Sequence, residues 1–134
     1  MGILDVAKIN LPPLETLPEG EAQLVINSAK DRGINGGEPF KSGRTGWSLS
    51  FKSDQHPNAE TVFENLLMPV DGDSASTERM FVEKIQAFVA AFNITSEDVE
   101  SWVGKTGWVN VGVEAKDDGS GDRNIIKSYV LPKK

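Results

Sequence analysis

No cysteine occurs in this chain of 134 residues. That absence excludes disulfide frameworks, thiolate nucleophiles, redox motifs and zinc fingers together. Histidine is nearly as scarce. His56 stands alone ahead of Pro57 in a polar stretch and reads as a solvated turn residue with no serine set against it as a catalytic partner. There is no phosphate-cradling GxxxxGK loop and no Gly-rich strand-to-helix turn for a nucleotide. No apolar run approaches the length needed to cross a bilayer. The start, Met1-Gly2-Ile3-Leu4-Asp5, lacks the basic patch and apolar run of a signal peptide. Val6 stands where a myristoylation signal carries Ser or Thr. The expectation is a cytoplasmic protein with no membrane partner, no enzymatic activity, no cofactor and no metal. Two acidic turns, Asp71-Gly72-Asp73 and the group Asp117, Asp118 and Asp122, are of a kind that can hold calcium. Their spacing departs from the EF-hand ladder, so they are read as solvated loops.

The length fits one domain and suffices to bury a core without a covalent staple. The formal net charge is −6, which by itself argues against a phosphate-binding protein. The charges are segregated, however. Residues 28–53 carry five basic side chains, Lys30, Arg32, Lys41, Arg44 and Lys52, against Asp31 and Glu38. Residues 54–104 set only Arg79 and Lys84 against ten carboxylates, and basic residues regain the majority from residue 105 onward. A polyanion responds to where charges sit as well as to their sum.

Residues 1–20, with Pro12, Pro13 and Pro18, read as an extended lead-in that is not helical and lies across the body through Leu11, Leu14 and Leu17. Residues 21–134 form the domain. Residues 21–30 alternate as a half-buried strand, with Ala22, Leu24, Ile26 and Ser28 on one face. The Gly-rich residues 31–43 follow as a long, mobile loop. Residues 45–53 are the cleanest strand, with Trp47, Leu49 and Phe51 on one face and Ser48, Ser50 and Lys52 on the other. Residues 60–68 make a third strand. A helix capped by Ser74 or Ser76 buries Phe81, Ile85, Phe88 and Phe92 and ends at Asn93. A short helical turn begins at residues 95–98 and stops at Gly104. Residues 106–115 form a fourth strand with Val109, Val111 and Val113 inward, and residues 124–131 a fifth after a Gly/Asp loop. Three strands, a helix and two strands is the element order of the OB-fold, a five-stranded Greek-key barrel with the helix between strands three and four. Its long loops, between strands one and two and between four and five, fall in the two basic segments.

Several stretches carry a family resemblance: Lys41-Ser42-Gly43-Arg44-Thr45-Gly46-Trp47, Phe63-Glu64-Asn65-Leu66, Phe88-Val89-Ala90-Ala91-Phe92, residues 102–111 and Asn124-Ile125-Ile126-Lys127-Ser128-Tyr129. Over roughly residues 20–131 the chain resembles small bacteriophage-type single-stranded DNA-binding proteins with OB-folds. The resemblance implies non-enzymatic binding and protection of single-stranded DNA in replication or recombination. Such proteins often end in an acidic tail that recruits partners. This chain ends Pro132-Lys133-Lys134, so recruitment of replication or recombination proteins would fall to the acidic residues 54–104. Two other readings compete: an interaction adaptor or virion component working through that acidic surface, and an oligosaccharide-binding barrel using Trp47 and Trp108 as sugar platforms.

Single-strand binding requires a basic groove for the backbone and aromatic faces for the bases. Trp108 is out of phase with the inward valines, so it points outward, either to stack on a base or to cover an open end of the barrel. Trp47 shares a face with Leu49 and Phe51 and is either core or ligand-facing, as is Tyr129. Phe40, in the loop, either clamps a base or folds back. Lys30, Arg32, Lys41, Arg44, Lys52, Lys105, Arg123 and Lys127 are the phosphate candidates.

Overall fold

The structure, a computed structural model, describes residues 2–10, 15–119 and 121–131. Along the chain run α1 (Ile3–Ala7), β1 (Gly20–Arg32), β2 (Gly46–Lys52), β3 (Val62–Leu67), α2 (Ala75–Ala91), a 3-10 turn (Val99–Trp102), β4 (Thr106–Ala115) and β5 (Asp122–Tyr129). The five strands form one antiparallel sheet in the order β3-β2-β1-β4-β5. Its two edges, β3 and β5, lie against each other, so the sheet is a nearly closed barrel. Among the described residues no helix is long and apolar enough to cross a membrane.

β1 makes the closure possible. Its first half pairs with β4, from Gly20 opposite Val111 to Val25 opposite Thr106. Its second half pairs with β2, from Val25 opposite Lys52 to Arg32 opposite Gly46. The ladders overlap at Val25, and the next residue, Ile26, exchanges backbone hydrogen bonds with Gly104 and Lys105. Immediately beyond lies a bulge, where Asn27 and Ser28 together oppose Ser50. An extra residue reverses the alternation. Leu24 and Ile26 face the core before the bulge, and Ala29, opposite Leu49, does so after it. Ser28 therefore turns outward, which corrects its expected place on the face of Leu24 and Ile26.

The strand faces of β2 and β4 follow their alternation. Leu49 and Phe51 are buried, as are Val109 and Val111. α2 lies at the end of the barrel where β3 and β5 finish and β4 begins. Ser74 caps it, its Oγ accepting from the Thr77 N–H at 3.2 Å. Phe88 and Phe92 sink into the barrel, their rings 5.3 Å apart and each edge-on to Tyr129. Gly107 is required here, because a Cβ on it would stand 2.7 Å from the Ala91 carbonyl and 2.9 Å from the Phe92 ring. Gly46 is equally constrained: it has φ +153°, and a Cβ would meet the Leu66 carbonyl oxygen at 1.9 Å.

The lead-in closes the opposite end. Glu15 bridges to Ala59, and Leu17 is buried. Asn124 of β5 holds it: Oδ1 accepts from the Leu17 N–H at 2.7 Å, and Nδ2 donates to the carbonyls of Leu17 and Gly112 at 3.0 and 3.2 Å. The expected contact through Leu17 is thus present; Leu11 and Leu14 lie outside the described residues, as does Pro132 after the last strand. Residues 1–20 are not extended throughout, however. The helix α1 stands upstream of the prolines, which therefore do not interrupt it, and the Gly2 N–H donates to the Asp5 carboxylate at 3.2 Å. β5 also begins two residues earlier than its apolar pattern, because Asp122 and Arg123 pair with Ala115 and Glu114.

Two substitutions test this packing. Asn124→Ala leaves buried backbone groups of Leu17 and Gly112 unpaired and should cost about 2–4 kcal/mol in denaturant unfolding. Tyr129 is buried with no hydrogen-bond partner for its hydroxyl among the described residues. Tyr129→Phe should leave stability unchanged or raise it, whereas Tyr129→Ala should lower it by about 3–5 kcal/mol.

Candidate nucleic-acid interface

The outer face of β1, β2 and β3 is built by cross-strand pairs. Lys30 lies opposite Ser48, and Ser48 opposite Asn65. In the next outward row Ser28 lies opposite Ser50, and Ser50 opposite Phe63. Lys52 follows Ser50 on the same face of β2. Small hydroxyl side chains leave this surface low. The Ser28, Ser50 and Asn27 side chains bond to one another and hold the bulge flat against β2. Above them stands Phe63, 74% exposed. Val62, Glu64 and Leu66 take the inner face of β3, so Phe63 is left outside. On its β5 side Phe63 borders a hollow lined also by Lys116, Arg123 and Ile125. Phe63 was not among the candidates read from sequence. Its signal was available, since it alternates with Val62 and Leu66, but the face of the third strand was not assigned.

The twelve expected residues do not form one surface. Lys30 and Lys52 share the face with Phe63, and Arg123 lies beside it. Lys41 is exposed in the turn of the β1–β2 loop. Lys30, Lys41, Lys52 and Lys127 make no ion pair among the described residues. Arg123 pairs with Glu114 at 2.5 Å. Arg32, ending β1, lies over the Phe40 ring at 4.9 Å, and its Nε is buried without a partner among the described residues. Phe40 has thus folded back beneath a cation. Trp108 points outward and is 44% exposed. It lies across from Gln23 of β1 and lines a shallow groove with Glu21 and Leu131. The Lys105 ammonium, expected to serve beside it, donates to the Asn93 carbonyl at 2.8 Å, just past the end of α2. Lys127 is the extra residue of a bulge in β5 and lies over Gly112.

Three expected residues are committed to the protein itself. Tyr129 is a core residue, its phenol pushed far up from its ordinary value by burial and then by the charge of Glu64. Trp47 faces inward, its ring 5.9 Å from that of Trp102, and reaches solvent only at a cavity at the α2 end. Arg44 is the guanidinium half of a bidentate pair with Asp73, at 2.6 and 3.2 Å, and lies over the Phe81 ring at 5.0 Å.

That pair anchors the β1–β2 loop to the turn before α2. The loop, expected to be long and mobile, carries hydrogen bonds of its own. The Asp31 carboxylate accepts from the N–H groups of Ile34 and Asn35 at 2.8 and 2.9 Å. Phe40 donates to the Arg44 carbonyl, and Gly43 donates to Phe40. Asp73, whose carboxylate is 7% exposed, is held below the usual carboxyl range by its hydrogen bonds to Arg44 and then by the Val70 N–H. Arg44 is raised in return.

A carboxyl whose pKa is lower folded than unfolded contributes stability above its ordinary value, here 3.8, and loses it as pH falls through the depressed one. Amide exchange across residues 33–45 should therefore accelerate below about pH 4 beyond its intrinsic pH dependence. Asp73→Asn should show the faster exchange already at neutral pH, with no further acid step.

Comparison with known proteins assigns no family to this geometry: no protein-family model matches the chain, and no curated protein matches it significantly.

Proposed function

We propose that the chain is a non-catalytic barrel of the OB type, with its strands in Greek-key order, and that it binds single-stranded DNA across the outer face of β1, β2 and β3. The observation that carries this reading is Phe63: a ring 74% exposed, standing on a polar platform of Ser48, Ser50 and Asn65 between Lys30 and Lys52. An aromatic face offers any base a stacking surface, and lysines without carboxylate partners follow the phosphates. Ser48 and Asn65 supply hydroxyl and amide groups to base edges without selecting one base. The β1–β2 loop adds Lys41 and the Arg32–Phe40 stack at one end, and Arg123 stands at the other. Trp108 offers a second stacking surface on β4. The resemblance to phage-type single-strand binders supports the same reading, with a role in replication or recombination in the cytoplasm.

The acidic residues 54–104 favour a second role. Glu78 and Glu83 lie on α2 and Glu97, Asp98 and Glu100 on the segment that follows it, where Glu97 borders a hollow shared with Ile34 and Asn35 of the β1–β2 loop. They suit recruitment of a basic protein partner.

Titration of labelled oligo-dT at several salt concentrations tests the DNA reading. Each neutralised phosphate contributes a slope of about −0.7 for single strands. Engagement of about four of Lys30, Arg32, Lys41, Lys52 and Arg123 predicts a log–log slope near −3. Phe63→Ala should weaken binding by about 1–3 kcal/mol with the melting temperature unchanged, since its ring packs little. Lys30→Ala and Lys52→Ala should each flatten the salt slope by about 0.7. Trp108→Ala, measured alongside, reports whether the strand continues onto β4. Equal binding of duplex DNA, or wild-type affinity in both Phe63→Ala and the double lysine variant, would overturn the proposal.

A further inference from the structure

β3 and β5 lie against each other, yet each is an end strand of the sheet and no ladder joins them among the described residues. Their facing edges carry peptide groups that point at one another. The Met68 N–H donates to the Thr45 carbonyl at 2.9 Å, and the β2–β3 register continues from that pair. Leu66, Glu64 and Val62 are therefore bonded to β2, and the peptide groups of Phe63 and Asn65 face β5. On β5, the Lys116 N–H donates to the Gly121 carbonyl. Arg123 and Ile125 are therefore bonded to β4, and the peptide groups of Asn124 face β3. An ion pair from Lys116 to Glu60, at 3.3 Å, spans this seam at one end.

Over the seam lies a hollow of about 470 Å³, a volume within the range of pockets that take small ligands. Thr61 and the exposed Phe63 border it from β3. Ile125 and Arg123 border it from β5, both turned outward because Asn124 between them is buried. Asn124 also reaches the hollow, but its amide is bonded to Leu17 and Gly112. Glu60 and Lys116 line it too, each charge opposed by the other. What remains is an aromatic ring, a branched aliphatic chain, a hydroxyl and a guanidinium. Arg123 is half exposed, and so nearly is its partner Glu114. A pair so open to water contributes little, and a phosphate can replace the carboxylate at small cost.

An apolar ligand would leave Thr61 and Arg123 unused, and a simple anion would leave Phe63 and Ile125 unused. A nucleotide uses all four: a flat ring, a polar edge and a phosphate. The hollow shares Phe63 with the lysine-flanked face, and it shares Glu60 and Thr61 with the hollow beside Lys52. A strand lying over Lys30 and Lys52 passes its rim. Taking the outer face of β1, β2 and β3 as the DNA site, we infer that this hollow receives one base of the bound strand. The base enters between Phe63 and Ile125, its edge at Thr61 and its neighbouring phosphate on Arg123. Insertion gives it apolar contact on two sides, where the serine platform gives a base only the Phe63 ring.

The shortest oligo-dT that binds at full affinity tests this, titrated intact and with an abasic site at each position in turn. Ile125→Ala should weaken binding of the intact oligonucleotide about fivefold, the low end of one base stack. It should also cancel the abasic penalty at one position and leave the penalties elsewhere in place. Thr61→Phe, which fills the hollow with a ring of its own, should do the same. Neither should change the salt slope, whereas Arg123→Ala should flatten it by about 0.7. Unchanged circular dichroism and melting would show that the variants fold, and Ile125→Ala, a truncation at a half-buried site, suffices if Thr61→Phe does not. Wild-type affinity in Ile125→Ala, with every abasic penalty intact and Phe63→Ala still weakened, would overturn the inference while keeping the DNA face. A wild type that does not bind oligo-dT would overturn both.

Discussion

β1 has to serve two partners at once. A sheet that closes needs one strand long enough to leave one neighbour and join another, and β1, running from Gly20 to Arg32, does this at Val25. The crossing bends the strand, and the bulge at Asn27 and Ser28 accommodates the bend. Because the bulge adds a residue, it also resets which side chains face inward for the rest of the strand. Without it, Ala29 would turn away from Leu49, and Lys30 would be driven toward the core opposite a buried row. The polar outer surface of β1 and β2 and the apolar interior are thus two results of one local irregularity.

The two ends of the barrel are closed by different chemistry. At one end Phe88 and Phe92 each pack edge to face against Tyr129 under α2, which is packing of large apolar surface. At the other a single amide, Asn124, satisfies both backbone groups of Leu17 and so makes an otherwise loose lead-in part of the fold. Burying a peptide unit is costly unless both its polar groups are paired. The α2 end retains a cavity beside Trp47 and Trp102.

The same arrangement sorts the basic side chains. Arg44, Lys84 and Lys116 each stand against a carboxylate brought in by a distant segment: Asp73, Glu64 and Glu60. Those charges are engaged in holding elements together. Lys30, Lys41 and Lys52 face outward and make no ion pair among the described residues, although Lys52 borders a hollow that also holds Asp54 and Glu60. Net charge is therefore a poor guide to the surface of this protein. An acidic total coexists with a lysine-flanked face because the two signs of charge are unevenly spread along the chain.

Periodicity determined much of this from the sequence alone. The alternation of Trp47, Leu49 and Phe51, that of Val109 and Val111 with Trp108 outside, and the stripe of Ile85, Phe88 and Phe92 each read correctly, since the pattern is local and one face is buried, whereas Phe81, expected in that stripe, lies outside the core beneath Arg44. Contact between distant segments could not be read in this way. Nothing local distinguishes Arg44, paired across the fold to Asp73, from Lys41 three residues earlier, which is not. Tyr129 alternates like any strand residue, and only the packing of α2 makes it core. The bulge in β1 left no mark in the apolar pattern, so Ser28 was placed on the wrong face. Helix α1 was masked by the prolines that follow it. The sequence determined which residues are apolar and at what spacing, whereas the register between strands, and with it the face that carries Phe63, was decided by tertiary pairing.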